Sequence, residues 1–119
     1  MDIWKSWIVN KPIAHRGLHD ENIPENSLKA FERAIEKGFV IECDIHLTKD
    51  NEVVVFHDRN LKRMTGVEGL IDKFKLNELK KLRLCDKEYV IPTLQELLQL
   101  VKGTSSTVIL IIRESRRER

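Results

Sequence analysis

The sequence lacks the features that mark several classes of protein. Its longest apolar run, residues 108–112, is far shorter than the roughly 18 residues of a membrane-spanning helix, and no basic start followed by an apolar stretch indicates a secretory leader. Aromatic residues make up only 6% and the net charge is +2, so neither a basic stripe nor a stacking surface for nucleic acid is present. These absences predict a cytoplasmic protein with no integral membrane segment and no nucleic-acid partner.

Cysteine is also scarce. The chain has two cysteines, Cys43 and Cys85, which are too far apart in sequence for a close metal-binding pair. Cys43 alternates with polar residues in a strand-like segment, where a free cysteine commonly acts as a small buried apolar side chain. We expect both thiols to be reduced.

The chain has enough apolar residues for one folded domain. Its 119 residues are 41% hydrophobic, which suits a single domain spanning residues 1–119. Strand-like runs end at His15, at Leu47 and at His57, and an apolar strand follows at residues 107–112. Helical periodicity separates them at residues 28–37 and again after Thr93, whose side chain begins a capping box.

The order of these elements predicts the architecture. Strands that alternate with helices favour a parallel sheet covered by helices, with chemistry at the carboxyl ends of the strands. We therefore expect an α/β fold with about four parallel strands. Residues 59–91 are less regular and are interpreted as an insertion after the third strand.

Two carboxylates on one strand face suggest a cation site. Glu42 and Asp44 are two residues apart, so their side chains project from the same face of the predicted strand. Oxygen ligands favour Mg²⁺ or Ca²⁺, whereas Zn²⁺ usually recruits imidazole as well, which His15 or His57 can supply. A solvated strand face carries the same pattern, so the spacing alone is a weak signal.

Two histidines and an arginine complete the candidate site. His15 and His57 follow strand-like runs, and imidazoles exchange protons near neutral pH, so they are candidates for an acid and a base. Arg16 is a candidate phosphate ligand, with a surface ion pair as the alternative. His19 and His46 are interpreted as structural.

Several sequence blocks together resemble the glycerophosphodiester phosphodiesterase family. The resemblance runs from about residue 12 to residue 102 and rests on the following residues: Ala14-His15-Arg16-Gly17, Pro24-Glu25-Asn26-Ser27, Glu42-Cys43-Asp44-Ile45, Val55-Phe56-His57-Asp58, then Leu61, Arg63, Thr65 and Gly66, and Ile91-Pro92-Thr93-Leu94 with Glu96.

The resemblance implies a fold, a reaction and a role for each candidate residue. It implies a (β/α)8 barrel of TIM type and metal-dependent hydrolysis of glycerophosphodiesters to glycerol 3-phosphate and an alcohol. By position, His15 and His57 match the family's acid and base, Glu42 and Asp44 match two ligands of a divalent metal, and Arg16 matches its phosphate-binding arginine. A related phosphodiesterase acting on lysophospholipid or phosphoinositide head groups is an alternative that fits the Pro24-Glu25-Asn26-Ser27 block less well.

The sequence departs from the family in two respects. A complete barrel has about 250 residues, so this chain matches a truncated half-barrel. The family's Glu-x-Lys on the next strand is replaced by Ile111 and Arg113, so the third acidic ligand is lost. We therefore keep a second hypothesis, an inactive half-barrel that binds metal or phosphate weakly. Open sheet edges predict a homo-oligomer in either case.

Overall fold

The structure, a computed structural model, describes residues 11–113. Its strands and α-helices follow one another in this order: β1 (Ile13–His15), α1 (Leu28–Glu36), β2 (Val40–Leu47), β3 (Val53–Val55), α2 (Lys62–Thr65), α3 (Leu76–Leu79), α4 (Leu94–Val101) and β4 (Val108–Ile112). Short 3₁₀ turns lie at Ile71–Lys73 and Leu84–Asp86. No helix in the described range is long and apolar enough to cross a membrane.

The four strands form one sheet around β2, and three of them are parallel. β1 and β4 both run parallel to β2, as the sequence predicts. β3 runs antiparallel to β2, which corrects the prediction of four parallel strands. The reason is the connection at residues 48–52, which is far too short for the dozen or more residues of a parallel crossover. It closes as a turn in which the Thr48 amide donates to the Glu52 carbonyl at 2.8 Å.

The reversal of β3 places the ends of two strands next to each other. The amide of Arg16, just after β1, donates to the Glu42 carbonyl at 2.7 Å, and the amide of Phe56, just after β3, donates to the Asp44 carbonyl at 2.9 Å. Both carbonyls belong to even-numbered residues of β2 and point to the same edge, while the odd-numbered Ile41 and Ile45 bond towards β4. The carboxyl ends of β1 and β3 therefore meet along one edge of β2.

Helices α1 and α4 cover one face of the sheet, and each begins at a residue whose side chain caps the first turn. The Ser27 hydroxyl accepts from the Ala30 amide, and Thr93 forms a capping box with Glu96. Beneath them lies an apolar cluster of Ala14, Phe31, Ala34, Ile41, Cys43, Val55 and Leu97. Cys43 is buried and both cysteines are free, as predicted; burial raises the pKa of the Cys43 thiol to about 12, so it stays protonated.

Residues 59–91 contribute a second apolar cluster. It contains Val54 and Phe56 from the β3 segment together with Leu61, Met64, Ile71, Leu79, Leu84 and Ile91. The irregular segment thus packs its own core against the region where β3 ends. The interpretation of residues 59–91 as an insertion within a single domain stays a prediction.

Strand β4 is less covered than its composition predicts. Its uniformly apolar sequence favours burial on both faces, but Leu110 is 40% exposed and Ile112 is 76% exposed. Their register partners are Cys43 and Ile45, so they lie on the sheet face that α1 and α4 cover elsewhere. In the described part of the chain, the helical layer does not extend over the end of β4.

Candidate functional site

The predicted site residues are brought together where β1 and β3 meet. His15 pairs in register with Glu42, and the Nδ1 atom of its ring contacts Glu42 Oε1. His57 comes two residues after the end of β3. The amide of the residue between them, Phe56, donates to the Asp44 carbonyl. His15 has a 59% exposed side chain and His57 a 25% exposed one, so both imidazoles are open to solvent.

A tight turn aims Arg16 into this site. Arg16 has a left-handed backbone with φ of 60° and Gly17 follows with φ of 80°, so the chain reverses directly after β1. The carbonyl of Arg16 accepts from the Asn26 amide at 2.8 Å, which fastens the turn to the residue before the α1 cap. The guanidinium then lies between two carboxylates: Nη1 contacts Glu25 Oε2 at 3.1 Å and Nε lies 3.8 Å from Asp44 Oδ2.

Asp44 is the most enclosed charged group of the site. Its side chain is 1% exposed and is surrounded by nitrogen donors. Arg113 Nε donates to Oδ1 at 3.0 Å and Nη2 lies 2.9 Å from the same oxygen, while Asn26 Nδ2 donates to Oδ2 at 3.2 Å. With the Arg16 Nε also nearby, the negative charge of Asp44 is balanced by guanidinium groups.

The donor set does not fit a divalent metal as it stands. Among residues 11–113, no three His, Cys, Asp or Glu side chains are grouped closely enough to hold an ion. Glu42 is engaged by His15 and Asp44 by Arg113. The register places Ile111 directly beside Asp44, so the position from which a third carboxylate would reach this point carries an aliphatic side chain.

A chain of ion pairs connects Arg16 to His57. Glu25 accepts from Arg16 on one side and from Arg63 Nη2 at 2.7 Å on the other. Arg63 also donates to Asp58, from Nε at 2.8 Å and from Nη2 at 3.1 Å. Asp58 Oδ1 in turn lies 2.7 Å from His57 Nδ1. The two candidate reacting groups are therefore held by one network centred on Arg63.

The network shifts the pKa values of its members. The hydrogen bond from Arg63, with a further one from His57, lowers the pKa of Asp58 to about 2. Burial alone would raise the pKa of Glu25, but Arg63 and Arg16 outweigh it and the pKa is lowered. The same contacts, from Asp58 first and then Glu25, raise the pKa of Arg63. Both carboxylates are ionised at neutral pH and can each hold a cationic neighbour.

Replacing Arg63 by glutamine is expected to destabilise the fold in a pH-dependent way. At pH 7 the loss in unfolding free energy should be about 1–2 kcal/mol, allowing for solvent screening of partly exposed groups. The folded pKa of Asp58 is about 2 against 3.8 for the free group, so its contribution is present above about pH 4 and is lost as the pH falls through 2. The difference between wild type and variant should therefore narrow from pH 5 to pH 2 in urea titrations.

A suitable control is Lys29→Gln, which removes an exposed pair with Glu32 on α1. It should leave stability unchanged at every pH. A constant difference between wild type and Arg63→Gln across this pH range would contradict the assignment of the effect to Asp58.

His46 supports the site from beneath. It is buried on the same strand as Asp44, and its Nε2 donates to the His57 carbonyl at 2.9 Å. Burial is the main cause that lowers the pKa of His46, so it is neutral at pH 7 and acts as a hydrogen-bond donor. The structure thus agrees with the structural interpretation of His46 and shows that it fixes the backbone at His57.

Sequence reasoning from spacing missed four residues of this arrangement: Glu25, Asn26, Asp58 and Arg63. Glu25 and Asn26 lie in the loop before α1, and Arg63 lies on α2, so no strand or helix periodicity marks them. The available signal was the presence of two charged residues, Glu25 and Arg63, inside the blocks that carry the family resemblance.

Comparisons with known proteins agree with this geometry. Residues 15–115 match the model of the glycerophosphoryl diester phosphodiesterase family. A glycerophosphodiester phosphodiesterase of Caldanaerobacter subterraneus subsp. tengcongensis is 45% identical over 96 residues, which are 75% of this chain and 39% of that protein. Human lysophospholipase D GDPD1 is 41% identical over 113 residues, which cover 84% of this chain and 36% of that protein.

A solved structure gives the same result. A phosphodiesterase from Oleispira antarctica, in complex with the product sn-glycerol-3-phosphate, superimposes with a TM-score of 0.81 at 33% identity. The match covers 88% of this chain and 45% of that one, so the chain spans less than half the length of these relatives. The neighbours confirm the TIM-barrel class, of which the described strands form part. The chain is a member of the glycerophosphoryl diester phosphodiesterase family.

Proposed function

We propose that this chain hydrolyses glycerophosphodiesters to glycerol 3-phosphate and an alcohol, with His15, His57 and Arg16 as the acting groups. The observation that carries the proposal is the end-to-end meeting of β1 and β3 on one edge of β2. Two solvent-accessible imidazoles and a guanidinium follow these strand ends. The imidazoles can transfer protons on both sides of a phosphate, and the guanidinium can bind its oxygens.

Each group has a role that follows from its contacts. Asp58 accepts from His57 Nδ1, which keeps the proton on that nitrogen and leaves Nε2 free to act as a base. One imidazole takes the proton of the attacking hydroxyl, and the other gives a proton to the departing alcohol oxygen. Arg16 stabilises the charge that builds on the phosphate oxygens, and its guanidinium is held at the site by the contact with Glu25.

Mg²⁺ or Ca²⁺ on Glu42 and Asp44 is the cofactor expected from the resemblance, and it stays a prediction. Both carboxylates already have cationic or imidazole partners. The proton transfers and the phosphate contact are therefore assigned to this chain's own side chains.

The proposal is tested by measuring release of glycerol 3-phosphate from glycerophosphocholine, with added Mg²⁺ or Ca²⁺ and separately with a chelator. Release under either condition supports hydrolysis, and the comparison shows whether it needs a cation. Absence of release under every condition would contradict it. Lysophosphatidylcholine is the second substrate to test, because one relative is named a lysophospholipase D.

The second candidate function is an inactive half-barrel that binds phosphate or metal weakly. It is favoured by Ile111, which stands beside Asp44 where a third carboxylate would complete an oxygen site. Binding of glycerol 3-phosphate, detected by calorimetry, without any turnover would support this candidate over the first.

We further propose that the chain self-associates through β4. Its outer edge has no partner strand among the described residues, and Ile112 and Leu110 expose apolar surface beside it. Light scattering is expected to give a mass of at least a dimer, and Ile112→Lys should lower it. Leu98→Lys, at an equally apolar exposed position on α4, is the control. A monomeric wild type at micromolar concentration would contradict the proposal.

The cytoplasmic location stays a prediction.

A further inference from the structure

The feature that carries a further inference is the contact between Arg113 and Asp44. These residues are 69 positions apart and lie on neighbouring strands, β2 and the end of β4. The amide of Arg113 donates to the Ile45 carbonyl at 2.8 Å, which continues the ladder of β4 and fixes the backbone from which the side chain returns to Asp44. The guanidinium is thus placed by the sheet itself.

The contact occupies the oxygen that a cation would need. Two nitrogens of Arg113, Nε and Nη2, approach the same atom, Asp44 Oδ1, at 3.0 and 2.9 Å. Divalent cations bind carboxylate oxygens at about 2.0–2.6 Å, so an ion on Oδ1 would lie against a positive charge that is already in contact. Asp44 is 1% exposed, so little water is present to screen that repulsion.

The opposite side of the carboxylate offers no easier approach. Oδ2 accepts from Asn26 Nδ2 at 3.2 Å and faces the Nε of Arg16 at 3.8 Å. Ile111 lies beside Asp44 on the same face of the sheet and brings no oxygen. Positive charge and donors therefore surround Asp44 on both oxygens.

We propose that Arg113 is a built-in counter-ion for Asp44 and that it competes with divalent cations for this carboxylate. In the wild-type chain Glu42 and Asp44, the β2 carboxylate pair, bind such ions weakly, because an ion must first displace the guanidinium that the sheet holds against Asp44. The inference does not depend on turnover, since it concerns only the binding of an ion to the free protein.

The test is titration with Mn²⁺ alone, in which electron paramagnetic resonance counts the free ion. Arg113→Gln removes the charge and is expected to tighten Mn²⁺ binding at least tenfold. Adding Ile111→Glu to that variant supplies a third carboxylate beside Asp44 and should tighten binding by a further factor of ten or more. Circular dichroism checks that the variants are folded, and Arg113→Met, which keeps the length of the side chain, replaces Arg113→Gln if the latter is not.

Two controls locate the effect. Arg59→Gln removes another arginine that pairs with a well-covered carboxylate, that of Asp72, outside the β2 pair, and it should leave Mn²⁺ binding unchanged. Asp44→Asn added to Arg113→Gln should abolish the gain. Mn²⁺ binding that is the same in wild type and in Arg113→Gln, or a gain that survives Asp44→Asn, would overturn the proposal.

Discussion

Replacing His57 by alanine is expected to lower the rate of glycerol 3-phosphate release by about 10²–10⁴, the range ordinarily contributed by one positioned acid or base. His15→Ala should have a loss in the same range, because the two imidazoles are proposed to act on opposite sides of the phosphate. The fold should survive both changes. Asp58 keeps its contacts with Arg63 when His57 is absent, and the His15 side chain is 59% exposed.

His19→Ala is the matched control, since His19 is exposed and lies only four residues from His15. It should retain wild-type release. The rates are compared at saturating glycerophosphocholine with circular dichroism of each variant, so that a loss of fold is not read as a loss of chemistry. Wild-type rates in both His15→Ala and His57→Ala would remove these residues from the mechanism.

A substitution at Asp58 separates the role of this residue from that of His57. Asp58→Asn keeps the shape of the side chain but removes the charge that favours a proton on His57 Nδ1. We expect a partial loss of the rate of glycerol 3-phosphate release, smaller than that of His57→Ala, because the imidazole remains but the carboxylate that orients it is gone. If Asp58 only supported the fold, Asp58→Asn would lower the stability and leave the release rate of the folded variant unchanged.

Local patterns predicted those parts of the fold that depend on local physics. Ser27 and Thr93 cap helices because a hydroxyl can reach an amide three residues later, and that interaction is visible in the sequence. The alternation in β2 placed Glu42 and Asp44 on one face for the same reason. The predicted direction of β3 was wrong, because the alternation of strands and helices favours parallel pairing, whereas the short connection at residues 48–52 allows only an antiparallel one.

The contacts that distinguish this site from a generic strand end are not local. Arg63 and Glu25 are 38 residues apart, and Arg113 and Asp44 are 69 apart. Such pairs form only when the sheet and the loops are in place, and long charged side chains reach partners in several directions. The sequence could therefore predict which positions depart from the family pattern, namely Ile111 and Arg113, but not which carboxylate each arginine would contact.

Gly17→Ala is expected to cost the most stability of the single substitutions considered, about 2–5 kcal/mol. A Cβ added at Gly17 would lie 2.8 Å from Ala30 Cβ, 3.0 Å from the Ala30 carbonyl carbon and 3.0 Å from Phe31 Cδ1. One of these is a backbone atom of α1, and both residues are fully buried, so the neighbours cannot rotate away. Overpacking of this kind costs about 1–3 kcal/mol, and the left-handed backbone adds roughly 1–2 for a residue with a Cβ.

Gly66→Ala separates these two contributions. Gly66 has φ of 79°, nearly the same as the 80° of Gly17, but nothing lies within 4 Å of its added Cβ. It should therefore show only the backbone cost of about 1–2 kcal/mol, and urea titration of the two variants measures the remaining steric part by difference. If the midpoints of the two variants coincide, the added Cβ at Gly17 has no steric cost against α1, and this prediction is wrong. Because this turn also aims Arg16 between Glu25 and Asp44, a Gly17 variant that still folds should lose phosphate binding as well.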